Sequence, residues 1–335
     1  MKTRKIFLSI SLLVVSTSIN AQDFHLSQYD IAPLYMNPAL TGVFPVVDGS
    51  YRATSIYRSQ WTSVLSKPFT SAFISFDKLV GKADVKKWGV GGYVIDNNAM
   101  SGSFNTLNAM GSLAYNIMSA SPKHYLTVGM QLGIGYKTLR PNNYTYDEQY
   151  DASTNTFNSN LSNGENFNKT SFLKFERNMG VYYKYIHPEK KIHPEIGFSI
   201  YHMTKPNESI TGGEDYLPMR FNGMLACDFI ISEKITLHPK FLVMFQGTAT
   251  EYNEGILMYY KLATSGYDLV GGFDYRFRDA SVFHIGFKKG MSMLRFSYDI
   301  NTSTLANYSS GRGAWEVSLS ILGLKGKSFS QSLFY

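Results

Sequence analysis

Apolar and polar residues alternate along most of the chain from residue 49 onward, with the period of two that is typical of β-strands. The clearest example runs from residue 125 to residue 137. Its apolar face carries Leu126, Val128, Met130, Leu132, Ile134 and Tyr136. Its other face is small and polar and carries Thr127, Gly129, Gln131, Gly133, Gly135 and Lys137. Such a face is unlike the water-exposed side of a soluble β-sandwich.

Fourteen segments share this alternation, so the sequence predicts an all-β fold, a transmembrane antiparallel β-barrel of about 14 strands. Each segment has roughly 9–13 residues, which is the length that a tilted strand needs to cross a bilayer. An even number of strands returns both chain ends to one side of the membrane. The segments begin near residues 49, 69, 87, 105, 124, 172, 193, 219, 234, 255, 268, 281, 291 and 313.

The connections between these segments alternate in length, as expected of a barrel with periplasmic turns and longer outer loops. The short set lies at residues 78–86, 119–123, 187–191, 232–233, 264–267 and 290. The other set lies at residues 58–68, 96–104, 139–171, 204–218, 246–254 and 301–312, and only residues 279–280 are short on that side. The alternation places the N-terminus of the barrel in the periplasm.

The composition agrees with a membrane barrel. Charged residues make up 17% and aromatic residues 15% of the chain, while the mean hydropathy is only −0.16. Lipid-facing and lumen-facing residues cancel in such an average. The formal charge is +7, and Lys2, Arg4 and Lys5 carry three of these charges, which leaves about +4 for the rest. That charge is too small and too scattered to indicate a nucleic-acid partner.

The first 21 residues predict a cleavable signal peptide. The basic residues are followed by an apolar stretch at residues 6–15, and Ala21 offers a small residue before a cut at Gln22. Residues 22–46 contain Pro33, Pro38 and Pro45, so no long strand or helix is expected there. We expect this segment to be a plug in the lumen or a periplasmic segment beneath the barrel. The barrel is predicted over residues 47–322, and a periplasmic tail over residues 323–335.

Inward-facing charges concentrate on the last four predicted strands. They comprise Asp274, Arg276, Arg278, Lys288, Arg295, Asp299 and Glu316, together with His284. Opposite signs alternate on neighbouring strands, where cross-strand partners lie close enough to pair. The favoured interpretation is a packed, salt-bridged wall. The alternative is a ligand or peptide dock lined by Arg276, Arg278 and Arg295, because arginine suits carboxylate recognition.

The connection at residues 139–171 is rich in Asn, Ser, Thr and Tyr and has no sustained period. A loop of this length is commonly functional or disordered. It is predicted to be a solvated surface loop, or else a partner-binding loop on the cell exterior. Tyr146, Asp147 and Tyr150 are its candidate partner contacts.

The sequence resembles the PorP/SprF family over nearly all of the chain beyond the signal peptide. The matching residues are Ser27-Gln28-Tyr29, Pro33, Asn37-Pro38-Ala39, Gly42, Tyr57-Arg58, Gln60-Trp61, Phe296-Ser297-Tyr298-Asp299 and Gly313-Ala314-Trp315-Glu316. The family usually has histidine where this chain has Trp315, which fits a lipid-facing girdle residue. Asn37-Pro38-Ala39 is also similar to the N-terminal hatch of fatty-acid-transporter-like barrels.

The resemblance implies an outer-membrane component of the type IX secretion and gliding machinery that is not an enzyme. It implies partners in the C-terminal domain of a secreted surface adhesin, in type IX components of the periplasm and outer membrane, and in the bilayer with its lipopolysaccharide. Within the chain, Ser27, Gln28, Tyr29, Asn37, Pro38 and Ala39 are the candidate partner-binding or plug residues. The alternative function is a hatch-gated channel for hydrophobic or small solutes.

Catalytic and metal-binding motifs are missing from the sequence. None of the seven histidines has the HExxH spacing, and there is no GxSxG or GxxxxGK[ST] element. Pairing His202 with Asp215, or His284 with Asp299, as a hydrolase site at the rim is a much weaker interpretation. We therefore expect no cofactor and no metal.

Overall fold

Fourteen antiparallel strands close into a barrel in the computed structural model, which describes residues 23–45, 49–65, 67–81, 88–99, 103–118, 121, 123–187, 189–262, 266–290 and 292–324. The strands are β1 (Gly49–Gln60), β2 (Phe69–Val80), β3 (Trp88–Ala99), β4 (Phe104–Asn116), β5 (His124–Leu139), β6 (Ser171–Tyr185), β7 (Ile192–Tyr201), β8 (Arg220–Ile230), β9 (Ile235–Gln246), β10 (Ala249–Lys261), β11 (Tyr267–Arg276), β12 (Ala280–Lys289), β13 (Ser292–Asn301) and β14 (Arg312–Leu324). The predicted all-β barrel of 14 strands is confirmed.

Each strand pairs with its sequence neighbours, and β1 pairs with β14 to close the barrel. On β5 the predicted alternation holds, because Val128, Met130 and Leu132 are exposed on the outside while Thr127 and Gln131 are buried inside. Closing the sheet pairs all the strands side by side, which leaves no open sheet edge in a bilayer. On the outer surface, the ring centroid of Trp315 lies 5.5 Å from that of Tyr57.

Thirteen of the predicted strand starts lie within one residue of the observed ones, and the exception is β10. This strand was expected near residue 255 but begins at Ala249, after a turn at Gly247 (φ +58). The predicted outer loop at residues 246–254 is therefore wrong. In the sequence these residues resemble a loop because the inward side of β10 carries polar Glu251 and Asn253, which are buried.

The barrel has two unlike ends. We call the end with the β2–β3, β4–β5, β6–β7, β8–β9, β10–β11 and β12–β13 connections the turn end, and the opposite one the loop end. At the loop end the connection expected at residues 96–104 is also shorter than predicted, because β3 runs to Ala99 and β4 begins at Phe104. The long connections there lie at residues 140–170, 202–219 and 302–311.

Residues 23–45 lie inside the barrel, and we call them the plug. They form short helical turns at Tyr29–Ile31, Pro33–Met36 and Pro38–Leu40. Their apolar side chains, such as Leu34, pack against inward residues of the barrel such as Phe73 and Leu242. A fully buried leucine of this kind contributes about 1.5–3 kcal/mol. These contacts are made with inward-facing residues of the barrel wall.

The remaining predicted segments fall largely outside the described residues. This applies to the signal peptide at residues 1–21 and to residues 325–335 of the predicted tail. Strand β14 itself runs to Leu324, two residues into that tail. Across the ranges that the structure describes, no helix has the length and apolar character needed to cross a bilayer.

Candidate binding site

Small inward residues on the barrel wall make room for the plug. A Cβ atom at Gly180 of β6 would lie 2.0 Å from Oδ1 of Asn37, and one at Gly129 of β5 would lie 2.4 Å from the carbonyl carbon of Pro38. Neither distance is compatible with a side chain unless the plug moves. The small polar face that the sequence shows on β5 is thus the surface on which the plug rests.

The Asn37-Pro38-Ala39 element is fixed to three adjacent strands. Oδ1 of Asn37 accepts a hydrogen bond from the amide of Ala39 (2.9 Å), which caps the turn Pro38–Leu40. Nδ2 of Asn37 donates to the carbonyl oxygens of Val181 (3.0 Å) and Phe198 (3.3 Å) on β6 and β7. Oγ1 of Thr127 on β5 donates to the carbonyl of Ala39 (2.7 Å). The amide of Asn37 therefore hydrogen-bonds to the strands and to the plug at the same time.

Glu316 of β14 holds the plug by its backbone. One carboxylate oxygen accepts from the amide of Ser27 (2.6 Å) and the other accepts from the amide of Gln28 (2.9 Å). The side-chain oxygen of Gln28 accepts from Ser318 (2.6 Å) and from Nε of Arg295 (3.0 Å). These groups are buried, so each hydrogen bond offsets the cost of removing a polar group from water.

Three arginines complete the contact with the plug. Arg58 donates to Ser27 (2.7 Å) and pairs with both Glu316 (2.7 Å) and Asp299 (3.1 Å). Arg276 also pairs with Asp299 (3.0 Å) and donates to Ser27 (3.2 Å).

The third of these arginines, Arg295, binds Asp30 of the plug through both terminal nitrogens, each 2.8 Å from a carboxylate oxygen. Lys240 of β9 adds a second cation at 2.8 Å from Asp30. Bidentate arginine pairs are among the strongest charged contacts.

The predicted lumen charges therefore divide into groups. Arg276, Arg295, Asp299 and Glu316 meet the plug, and Asp274 pairs with Lys240 (2.8 Å) and His284 (3.2 Å). Lys288 lies nearer the turn end, 3.9 Å from Asp268.

Arg278 is not a lumen residue, which corrects the prediction. It lies exposed in the turn after β11 at φ +60, with its guanidinium 5.2 Å from the Phe277 ring centroid. The strand ends at Arg276, and the alternation of faces ends with it.

Three members of this network were missed by the sequence analysis as lumen charges. Arg58 was noted only within a motif, although its place on the inward face of β1, in register with Glu316, was a usable signal. Lys240 lies on the inward face of β9 and has the same signal, whereas Asp30 has none, because the position of the plug does not follow from strand periodicity.

A cavity of about 730 Å³ lies at the loop end, above the plug. We call it the outer cavity. Its charged lining groups are paired with one another: Asp23 pairs with Arg220 (2.8 Å) and His202 (2.5 Å), and Glu208 pairs with Lys137 and Lys174. Its aromatic lining includes Tyr35, Trp61, Phe69, Tyr93, Phe104 and Tyr201.

His202 follows β7 at the wall of the outer cavity. Burial lowers the pKa of its imidazole, but the carboxylates of Asp23 and Glu176 outweigh burial and raise the pKa to about 9. Nδ1 lies 2.7 Å from Glu176 and Nε2 lies 2.5 Å from Asp23. His202 therefore carries a positive charge at neutral pH and ties the start of the plug to β6.

The long β5–β6 connection has a fold of its own. Strands Tyr150–Asp151 and Thr156–Phe157 pair as a small hairpin. Tyr150 and Phe157 face each other across it and are 54% and 50% exposed. Asp147 is also exposed, whereas Tyr146 packs its ring on Phe167 and donates to the carbonyl of Pro141 (3.1 Å). Phe157 was not among the predicted contacts.

The enzyme-like pairs considered from the sequence do not form. His202 contacts Asp23 and Glu176 instead of Asp215, and His284 contacts Asp274 instead of Asp299. Among the residues that the structure describes, no group of three or more His, Cys, Asp or Glu residues is placed to hold a metal ion.

Comparison with known proteins gives one family. Residues 18–321 match the family described as type IX secretion system membrane protein PorP/SprF. No curated protein matches the sequence.

Several solved barrels have a similar architecture. A Pseudomonas aeruginosa FadL homologue is 9% identical, with 85% of this chain and 91% of that chain covered and a TM-score of 0.46. The Pseudomonas putida toluene transporter TodX is 10% identical, with 85% and 90% covered and a TM-score of 0.45. The translocator domain of the autotransporter NalP from Neisseria meningitidis is 10% identical, with 88% and 94% covered and a TM-score of 0.39. At these identities the similarity says nothing of what this chain binds.

Proposed function

Because the chain belongs to the PorP/SprF family of type IX secretion system membrane proteins, we propose that it binds the C-terminal domain of a secreted surface adhesin and helps to export or anchor it. In this proposal the barrel spans the outer membrane, with its turn end in the periplasm and its loop end outside. The apolar outer face of the strands and the short turns at one end support this orientation.

The observation that carries the proposal is the filled lumen. The plug places buried apolar residues such as Leu34 and Met36 across the barrel, and backbone groups such as the Ser27 amide and the Leu34 carbonyl are hydrogen-bonded to the wall. A lumen filled in this way favours a binding platform over an open pore. At the loop end, the exposed hairpin of residues 150–157 and the rim of the outer cavity are available to a large partner.

Capture of the partner tests the proposal. Tagged protein from detergent-solubilised outer membranes should recover a large secreted protein through its C-terminal domain. The Tyr150→Ala/Phe157→Ala double variant should recover at least about tenfold less, because aromatic anchors supply most of the energy of many interfaces. Tyr308→Ala is the matched control, since Tyr308 is 79% exposed on another loop of the same end. Equal recovery by all three proteins would refute binding through the hairpin.

A second function, a hatch-gated channel for hydrophobic or small solutes, is supported by one specific feature. The plug separates the outer cavity from a second cavity of about 600 Å³ at the turn end, so its displacement would join them. Solute flux through the reconstituted protein, without recovery of any adhesin, would favour this function. Adhesin capture without flux would favour the first.

A further inference from the structure

The cavity at the turn end has an uneven distribution of charge. We call it the inner cavity. Lys234, Lys261 and Lys288 line its mouth. In the described part of the chain, Lys234 and Lys261 have no ion-pair partner, and Lys288 has only Asp268 at 3.9 Å. These residues are close neighbours: the amide of Lys261 donates to the carbonyl of Lys234, and Asp268 is the cross-strand neighbour of both Lys261 and Lys288.

The other charged groups of the lining are paired with opposite charges. Lys184 lies 2.8 Å from Glu195 and 3.4 Å from Asp228, and Lys240 is held by Asp30 and Asp274. The excess positive charge therefore belongs to the mouth alone. Like charges gathered beside a protein wall repel one another more strongly than in bulk water, so an anionic partner is favoured at this position.

The side of the inner cavity that the plug forms, which we call its floor, is mainly apolar. The plug contributes Met36, Leu40 and Phe44, and the wall contributes Met224 and Met293. Methionine adapts its shape to varied apolar partners. The cavity volume of about 600 Å³ lies within the range of ligand pockets. A partner that fits must therefore carry negative charge at the mouth and apolar groups below it.

We propose that the inner cavity is a docking site for an acidic peptide segment of a periplasmic partner. Its carboxylates pair with Lys234, Lys261 and Lys288, and its apolar side chains rest on the underside of the plug. A peptidoglycan fragment also carries carboxylates, but its polar sugars would leave the apolar surface of the plug side uncovered. The site lies at the opposite end from the proposed adhesin contacts, and only its periplasmic location rests on the proposed orientation of the barrel.

Fluorescence anisotropy on the full-length protein in detergent tests this site. The probe is a short labelled peptide in which glutamate alternates with leucine, and the reference probe has glutamine in place of glutamate. We expect the glutamate peptide to bind, and added salt to weaken its binding. The Lys234→Glu/Lys261→Glu variant should bind it at least about tenfold more weakly. Both lysines are exposed, so folding is expected to survive the change.

Two controls make the result specific. Lys190→Glu/Lys191→Glu makes the same charge change at exposed positions of the β6–β7 turn, outside the inner cavity, and should leave binding unchanged. The Lys234→Arg/Lys261→Arg variant, which keeps both positive charges, should still bind the glutamate peptide. The proposal is overturned if the glutamine peptide binds equally well, if the control variant loses binding equally, or if no binding is detected. It is also overturned if a muropeptide displaces the labelled peptide and the unlabelled glutamate peptide does not.

Discussion

At the scale of single residues, the plug is held by side chains that each bond to two parts of the molecule at once. Asn37 caps a turn of the plug while it donates to two strands. Glu316 binds two plug amides while it pairs with Arg58. Removing one partner from such a buried network leaves the others unsatisfied, at a cost of about 1–3 kcal/mol per group. The plug is therefore expected to be retained or displaced as a unit.

Gly180→Ala tests how closely the plug fits the wall. The new Cβ atom would lie 2.0 Å from Oδ1 of Asn37, so we expect plug contacts worth about 1–3 kcal/mol to be lost. Hydrogen–deuterium exchange of residues 23–45 in detergent should become faster, while the folded barrel persists in a heat-modifiability gel. Gly271→Ala is the control, because nothing lies within 4 Å of a Cβ atom there. Unchanged exchange in the Gly180 variant would show that the plug is not seated against β6.

The ion pair between His202 and Asp23 predicts that the stability of the protein depends on pH. The pKa of His202 is raised from 6.5 to about 9 in the folded protein. The charged form of His202 therefore adds at most about 3 kcal/mol to the free energy of unfolding. This contribution is complete below pH about 6.5 and is lost as the pH rises through about 9. The thermal midpoint of the wild type should exceed that of His202→Gln at neutral pH, and the gap should close in alkaline buffer. A gap that stays constant with pH would exclude a charged His202.

At the scale of elements, the two-residue period of the sequence locates the strands. It does not reveal which plug residues the strands contact in the lumen. It located β1 to β9 and β11 to β14 because their outward faces are apolar. It failed at the start of β10, where Glu251 and Asn253 face the lumen and polar residues resemble a loop. Arg278 was misplaced because alternation ends with the strand. The plug partners of Glu316 and Arg295 lie on a segment without periodicity, so no strand pattern reveals them.

The β5–β6 connection is an element that the barrel does not need for closure. The contacts of residues 145–165, such as the pairing of Tyr150 with Phe157, stay within the connection, whereas its bonds to other loops come from residues outside that range, such as Asn143 and Asn168. Strands β5 and β6 pair up to Thr138 and Ser171. Deleting residues 145–165 should leave insertion and heat-modifiability intact while adhesin capture is lost. Deleting residues 304–308 of the β13–β14 loop is the control and should leave capture intact. Loss of the folded barrel in the first variant would show that the loop is structural.

At the scale of the whole molecule, the barrel is divided by the plug into two compartments with different chemistry. The outer cavity has paired charges and aromatic walls, whereas the inner cavity has an apolar floor and a basic mouth. A molecule built in this way presents a separate surface on each side of a membrane. The proposed adhesin contact and the proposed peptide dock use these two surfaces, and the plug is the element that they share.

Deleting residues 23–45 tests whether the plug closes the barrel. Without it, Arg58, Arg295 and Glu316 would face water, and the two cavities would form one continuous lumen. A water-filled barrel conducts ions, so single-channel recordings in planar bilayers should show a stable open pore for this variant and none for the wild type. The variant lacking residues 145–165 should stay closed, because its plug is intact. A closed pore after removal of the plug would mean that the wall or the outer loops fill the lumen themselves, and the binding platform would then not depend on the plug.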